Sequence, residues 1–164
     1  MSDAASSATP RSPAEDARFA GLLTEMFEQR IAFNQVLGLK VLSIAMPTPS
    51  LRFDMRPELV GHYFYGRLHG GVISAALDAT AGLALMAAIA EKHPADTVEQ
   101  VMHRFARMGT IDLRIDFLRQ GIGSHFVASA EVTRLGGRVG STHMRLVNED
   151  GLLIATGAAA YVVS

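Results

Sequence analysis

The stretch GRLHGGVISAALDATAGLALMAAIAEKH, residues 66–93, decides how this chain folds. From about Gly70 to Glu91 nearly every side chain is small or apolar on all sides of a 3.6-residue period. That is the pattern of a helix surrounded by other structure, not of one lying on a surface. His93-Pro94 stops it. One residue breaks the pattern, the carboxylate of Asp78. A buried, unpaired carboxylate costs roughly several kcal/mol even after relaxation, so an ordinary core helix would carry Ala or Leu there. Asp78 therefore needs either a structural partner, such as a buried Arg or a backbone turn, or a chemical role. A membrane span fits the length but not the composition. Ala and Gly gain little in hydrocarbon, and a central Asp costs about 2.5–3.5 kcal/mol on insertion scales.

Outward from this helix the pattern is α+β. Upstream, Phe19, Leu22, Leu23, Met26, Phe27, Ile31 and Phe33 fall at helical spacing within residues 16–37, which predicts an amphipathic helix ended by Gly38. From Lys40 to Met55 two strands are expected around a break at Met46-Pro47-Thr48-Pro49, with Leu51, Phe53 and Met55 on one face. Downstream, Val98, Val101, Met102 and Phe105 predict a short amphipathic crossover helix. After Gly109 the chain reads as β: Ile111, Leu113, Ile115 and Phe117 alternate with charged residues, and Phe126, Ala128, Ala130 and Val132 keep the period of two. Turn residues at QGIGS, LGGR and NEDG predict a four-stranded antiparallel meander, with Asp150-Gly151 as a two-residue hairpin signal and a last strand from Leu152 to Val163. The expected architecture is one long helix wrapped by one antiparallel sheet, because small side chains let a curved sheet approach closely.

Composition narrows the function classes. With 164 residues, 49% of them hydrophobic, the chain is one domain, placed at 18–164 behind a disordered tail at 1–17. Its net charge of −1, from 15 basic and 16 acidic residues, sets up no field for nucleic acid or an anionic membrane. Only Lys40 and Lys92 are lysines; the other basic residues are Arg, the better fork for phosphate and carboxylate oxygens. The absence of cysteine excludes disulfides, thiolate metal sites and a Cys nucleophile, and suits a cytoplasmic protein. The N-terminus has no apolar region of a secretory signal. His62, His93, His103, His125 and His143 show no metal-ligand spacing, so neither a metal nor a separate cofactor is expected.

His69-Gly70-Gly71 stands where the helix begins. The first amides of a helix lack intrahelical partners and the dipole there favours negative charge, so the glycines offer bare backbone donors to a developing oxyanion. The alternative is a plain tight turn. Asp78 reads as the nucleophile or general base acting on a carbonyl. Gly71 and Asp78 lie two helical turns, about 10 Å, apart on one face, too far to serve the same carbonyl. If both act in one reaction, two helices packed antiparallel about a twofold axis must bring the Asp of one chain to the glycines of the other.

The pattern GxLHGGxxxxxLD at Gly66–Asp78, followed by TIDLRIDFLRQG, EVTRLGGRVG and NEDGLLIATG, resembles hotdog-fold acyl-CoA thioesterases of the phenylacetate-pathway (PaaI-like) type over roughly residues 37–163. The resemblance implies a hotdog fold, a homodimer or a homotetramer built as a dimer of dimers, and hydrolysis of an acyl-CoA substrate to free acid and CoA. It implies that Asp78 is the catalytic carboxylate, that the Gly71 amide, with Gly70, polarises the thioester oxygen, and that His69 steadies the turn or the thioester. Thr110 falls where relatives often have a Ser or Thr near the attacking water. Two departures stand out. Tyr63 occupies the position, six residues before the motif His, where many relatives carry Asn. The crossover 92–109 is also longer than in compact members, as a lid or an assembly element would be.

Arg119, Arg134 and Arg138 sit at expected strand ends or turns, where CoA phosphates could be gripped or the charge merely solvated. Gly136 and Gly137 fit a turn exposing backbone amides. Ser74 lies one turn before Asp78 and is either a site residue or a helix-facing Ser, and Leu85, Met86 and Met102 shape an acyl pocket or simply fill the core. The reading is an acyl-CoA thioesterase. Two other classes remain open: a non-catalytic acyl-CoA-binding or regulatory module, and an acyl-thioester hydratase or dehydratase using His69 with Asp78.

Overall fold

The computed structural model describes residues 9–164. Three stretches of helix precede the sheet. Ser12 caps α1 (Pro13–Glu25) in a reciprocal capping box, its side chain receiving the Glu15 amide while the Glu15 carboxylate accepts from the Ser12 amide. These hydrogen bonds hold the Glu15 carboxyl below the usual range. Helix therefore starts at Pro13, inside the stretch expected to be tail, and residues 1–8 of that tail lie outside the described residues. The single helix expected over 16–37 is also broken. A π-helical turn, Met26–Arg30, leads to an extended Ile31 and then to α2 (Ala32–Leu37). The break has local causes: buried Asn34 donates to the Phe27 carbonyl that the interruption frees, and Glu28 turns away to accept from the Val41 amide and Lys40. Gly38 closes α2 at φ 71°, a left-handed conformation that glycine adopts without strain.

The strands are β1 (Lys40–Ser43), β2 (Ser50–Asp54), β3 (Val60–His62), β4 (Arg67–Leu68), β5 (Gly109–Phe117), β6 (His125–Leu135), β7 (Val139–Asn148) and β8 (Leu153–Val162). The main sheet is antiparallel with order β1-β2-β6-β7-β8-β5, and β3 and β4 form a small separate ribbon. Only β6, β7 and β8 make the expected meander. β5 instead pairs with β8 at the far edge, because residues 118–124 cross the end of the sheet, tied there by Leu118 and Arg119 amides on the Ile154 carbonyl and by the Ser124 amide on Glu149. The β7–β8 turn is longer than two residues: Asn148 accepts the Asp150 and Leu152 amides through its side chain, and Gly151 sits at φ 75°.

The sheet wraps α3 (Gly70–Lys92), with Phe53 and Phe126 stacked 5.4 Å apart between them and Leu77, Ala81 and Ala84 fully buried. Alanine brings the helix close to the strands, and no larger side chain would fit there without displacing its neighbours. Burial is not uniform around α3. Gly71, Ser74, Ala75, Asp78, Ala79, Gly82 and Met86 share one stripe that is left half-buried or open, alongside β5. The crossover packs against the N-terminal helix. Its helix α4 (Val98–Phe105), capped by a Thr97–Gln100 box, buries Val98, Val101 and Phe105, and Phe105 packs on Phe19 of α1 at 6.2 Å.

Candidate active site

His69 is the N-cap of α3, and its Nδ1 accepts the Gly71 amide at 2.9 Å. Nδ1 thus takes the place of the side-chain oxygen of an ordinary cap, and in the neutral ring the proton sits on Nε2, facing outward. The Gly71 amide, expected to serve an oxyanion, is therefore already occupied. The Val72 and Ile73 amides both reach the His69 carbonyl, so Gly70 alone among these first amides lacks an acceptor among the described residues. It faces a cavity of about 430 Å³ lined by Arg67, Leu68, Ile73, Phe117, Leu118 and Arg119. A Cβ at Gly70 would lie 3.4 Å from the Phe117 ring, so glycine keeps the approach to this amide open.

Two turns further along, Asp78 is half-buried and makes no ion pair among the described residues, which disposes of a buried Arg partner. Its Oδ1 accepts from Thr110 Oγ1 at 2.9 Å and from the Tyr161 hydroxyl at 2.5 Å. Its Oδ2 has no hydrogen-bond partner among the described residues and is not enclosed. Thr110 reaches Asp78 because β5 carries a bulge between Thr110 and Asp112. A strict period of two puts Ile111 on the inner face and Thr110 on the outer; the extra residue reverses this, leaving Ile111 exposed and turning Thr110 inward opposite Tyr161. Burial, with the adjacent Asp78 carboxylate, pushes the Tyr161 phenol well above its ordinary range, so it stays a donor. Sequence reasoning missed Tyr161. Its one trace was a lone phenol in the small-residue run GAAAYVV, on the same alternate face as Ala159.

The remaining expected residues do not gather into one site. Ser74 donates to the Gly70 carbonyl at 3.1 Å, within its own helix. Tyr63 lies 86% exposed in the turn between β3 and β4, its ring beside those of His62 and Phe64. Arg119 lines the Gly70 cavity and donates to the Leu153 carbonyl. Arg134, Gly137 and Arg138 instead lie at the β6–β7 hairpin, whose Leu135 and Gly136 carbonyls take Lys92, at the opposite end of α3. A 23-residue helix is about 34 Å long, so within one chain Arg119 and this hairpin cannot hold the same phosphate.

The chain resembles known proteins in both sequence and fold. The sequence pattern of the thioesterase superfamily matches residues 65–155. The medium/long-chain acyl-CoA thioesterase YigI of Salmonella typhimurium is 39% identical over 142 residues, which cover 87% of this chain and 92% of that protein. The Escherichia coli protein of the same name is 38% identical with the same coverage. Among solved structures, a thioesterase-superfamily-related protein from Shewanella oneidensis superposes with a TM-score of 0.87 at 34% identity, covering 94% of this chain and 100% of the other. The E. coli PaaI protein of the phenylacetic acid degradation operon shares the fold, with a TM-score of 0.68 at 16% identity over 90% of this chain and 94% of its own.

Proposed function

Since the chain belongs to the thioesterase superfamily, we propose that it hydrolyses medium- or long-chain acyl-CoA thioesters in a site shared between two subunits. The observation that carries the reading is the pairing of an Asp78 carboxylate anchored through Oδ1 with a helix-end amide, Gly70, neither Oδ2 nor that amide having a partner among the described residues. Asp78 Oδ2 takes a proton from water as the oxygen of that water attacks the thioester carbonyl, or attacks the carbonyl itself; both routes require the same placement. Negative charge then develops on the carbonyl oxygen, which the Gly70 amide stabilises at the positive end of the α3 dipole. CoA departs as thiolate, and the proton held by the carboxylate, or by the water that cleaves an acyl-aspartyl intermediate, restores the thiol.

Eight residues, about 12 Å of helix, separate Gly70 from Asp78, so the two act together only across a dimer. β5 supports such a dimer. It is a free edge strand with Ile111 and Phe117 each 56% exposed, and it runs from Thr110, beside Asp78, to Phe117, beside Gly70. Antiparallel pairing with a second β5 sets the Thr110 end of one protomer against the Phe117 end of the other. A twofold at Leu113 also sets Asp112 opposite the partner's Arg114. The same pairing covers the open stripe of α3. In this reading His69 holds the turn through Gly71, and Arg119, on the rim of the Gly70 cavity, is the Arg placed to meet CoA. The protein works in the cytoplasm, where acyl-CoAs and free CoA occur.

The test is release of free thiol from a panel of acyl-CoAs. The wild type is expected to favour medium and long chains, and Asp78→Asn to lose about 10³-fold or more in kcat while remaining a folded dimer. Near-normal hydrolysis by Asp78→Asn would end the proposal.

A further inference from the structure

The inner face of β8 carries Ala155, Gly157 and Ala159 at alternate positions and then Tyr161, a large phenol at the end of a row of small residues. Packing alone does not account for that hydroxyl. Phe would fill the same space, whereas a phenol only 4% exposed must find a partner for its O–H. The partner is Asp78. The Tyr161 oxygen lies 2.5 Å from Asp78 Oδ1 and 2.8 Å from the Asp78 main-chain oxygen, and its single proton is directed at the nearer, charged acceptor. Tyr161 and Thr110 are register partners on β8 and β5, so two hydroxyls on adjacent strands meet the same carboxylate oxygen. Neither reaches Oδ2.

We propose that Tyr161 is a positioning residue for the hydrolysis: by holding Oδ1 it fixes the plane of the Asp78 carboxylate, so that Oδ2 alone is presented to water or thioester. This rests on the catalytic reading of Asp78. The terminal torsion of an Asp is broad and nearly two-fold, so a carboxylate held from one side only swings between orientations. Thr110 cannot replace the phenol, because it holds Oδ1 from an exposed edge strand, whereas Tyr161 holds it from within the core. Tyr161 never touches the substrate, and the phenol remains a donor because its proton is held by burial and by the neighbouring carboxylate.

Tyr161→Phe removes one oxygen and keeps the ring. With free-thiol release from decanoyl-CoA, kcat is expected to fall about ten- to hundredfold, as for misplacement of a reacting group by about 1 Å, with KM within about threefold, whatever the lost hydrogen bond takes from the melting temperature. A purely structural tyrosine would lower the melting temperature but leave the kcat of the folded enzyme within about twofold, and that result overturns the proposal. Asp78→Asn, measured alongside, separates the two claims. If Asp78→Asn still hydrolyses substrate, the carboxylate reading itself is wrong; if it is inactive and Tyr161→Phe is not impaired, only the positioning role fails. Should Tyr161→Phe not fold, Tyr161→Met fills the buried space with a flexible side chain and likewise lacks the hydroxyl. A kcat loss of about tenfold at constant KM then supports alignment through Oδ1, and a kcat within about twofold of wild type contradicts it.

Discussion

At the C-terminal end of α3 the Arg11 guanidinium donates to the carbonyls of Ala90, His93 and Asp96, with its side chain only 7% exposed, whereas at the N-terminal end the Gly70 amide has no acceptor among the described residues and lies beside an open cavity. Both ends of a helix leave backbone groups unpaired, and a folded chain ordinarily satisfies them with side chains or water. Here a cation is brought from the segment before α1 to finish the negative end of the dipole. At the positive end, the N-cap His69 serves Gly71 and stops. The difference sets a helix end finished by the chain's own cation apart from one whose amide, in the proposed reaction, meets the thioester oxygen.

Gly70→Pro is the sharpest way to break that contrast. Proline is favoured at the first position of a helix, and His69, at φ −66° and ψ 137°, already has the extended backbone that a following proline demands, so the fold is expected to survive. The donor disappears while the ring also enters the approach beside Phe117, so Gly70→Ala, which keeps the amide and adds only the Cβ, is measured alongside to separate the two. For Gly70→Pro a loss of about 10²–10³-fold in kcat is expected, as for removal of an oxyanion-hole hydrogen bond. Unchanged turnover would assign the amide no role. Arg11→Ala probes the opposite end and gives the smaller, purely structural effect. Three carbonyls lose their cation, so stability is expected to fall by about 2 kcal/mol and the melting temperature by about 4–8 °C, with kcat of the folded enzyme within about twofold. Thermal melting and a thiol assay on the same preparation check both halves.

What the sequence made legible follows from pattern. The enclosed helix, the crossover helix and the strands of the sheet announce themselves through periodicity, and Asp78 stands out because an ionisable group inside an apolar run has an energetic cost that needs a reason. The site's finer geometry depends on features that leave no periodic trace. The position of β5 beside β8 is set by a seven-residue connection whose length fits either neighbour. The bulge at Ile111 reverses which face Thr110 occupies, and a strictly alternating reading of Ile111, Leu113 and Ile115 hides it. The resemblance implies that His69 steadies the turn, but His69 is not among the usual N-cap residues and nothing in the pattern says that it does so by taking the Gly71 amide, which shifts the free donor by one residue to Gly70. Tyr161 stands in a run of small and apolar residues with no spacing that ties it to Asp78, 83 positions upstream.

The central claim is that Asp78 of one protomer acts with Gly70 of the other, and heterodimer complementation tests it most directly. Differently tagged Asp78→Asn and Gly70→Pro chains are co-expressed, and the dimer carrying both tags is purified and assayed for thiol release. A shared site predicts that each heterodimer contains one fully intact site and one with both lesions, restoring about half the wild-type activity although neither parent homodimer is active. A heterodimer as inactive as its parents would place both residues in a site within one chain and contradict the account.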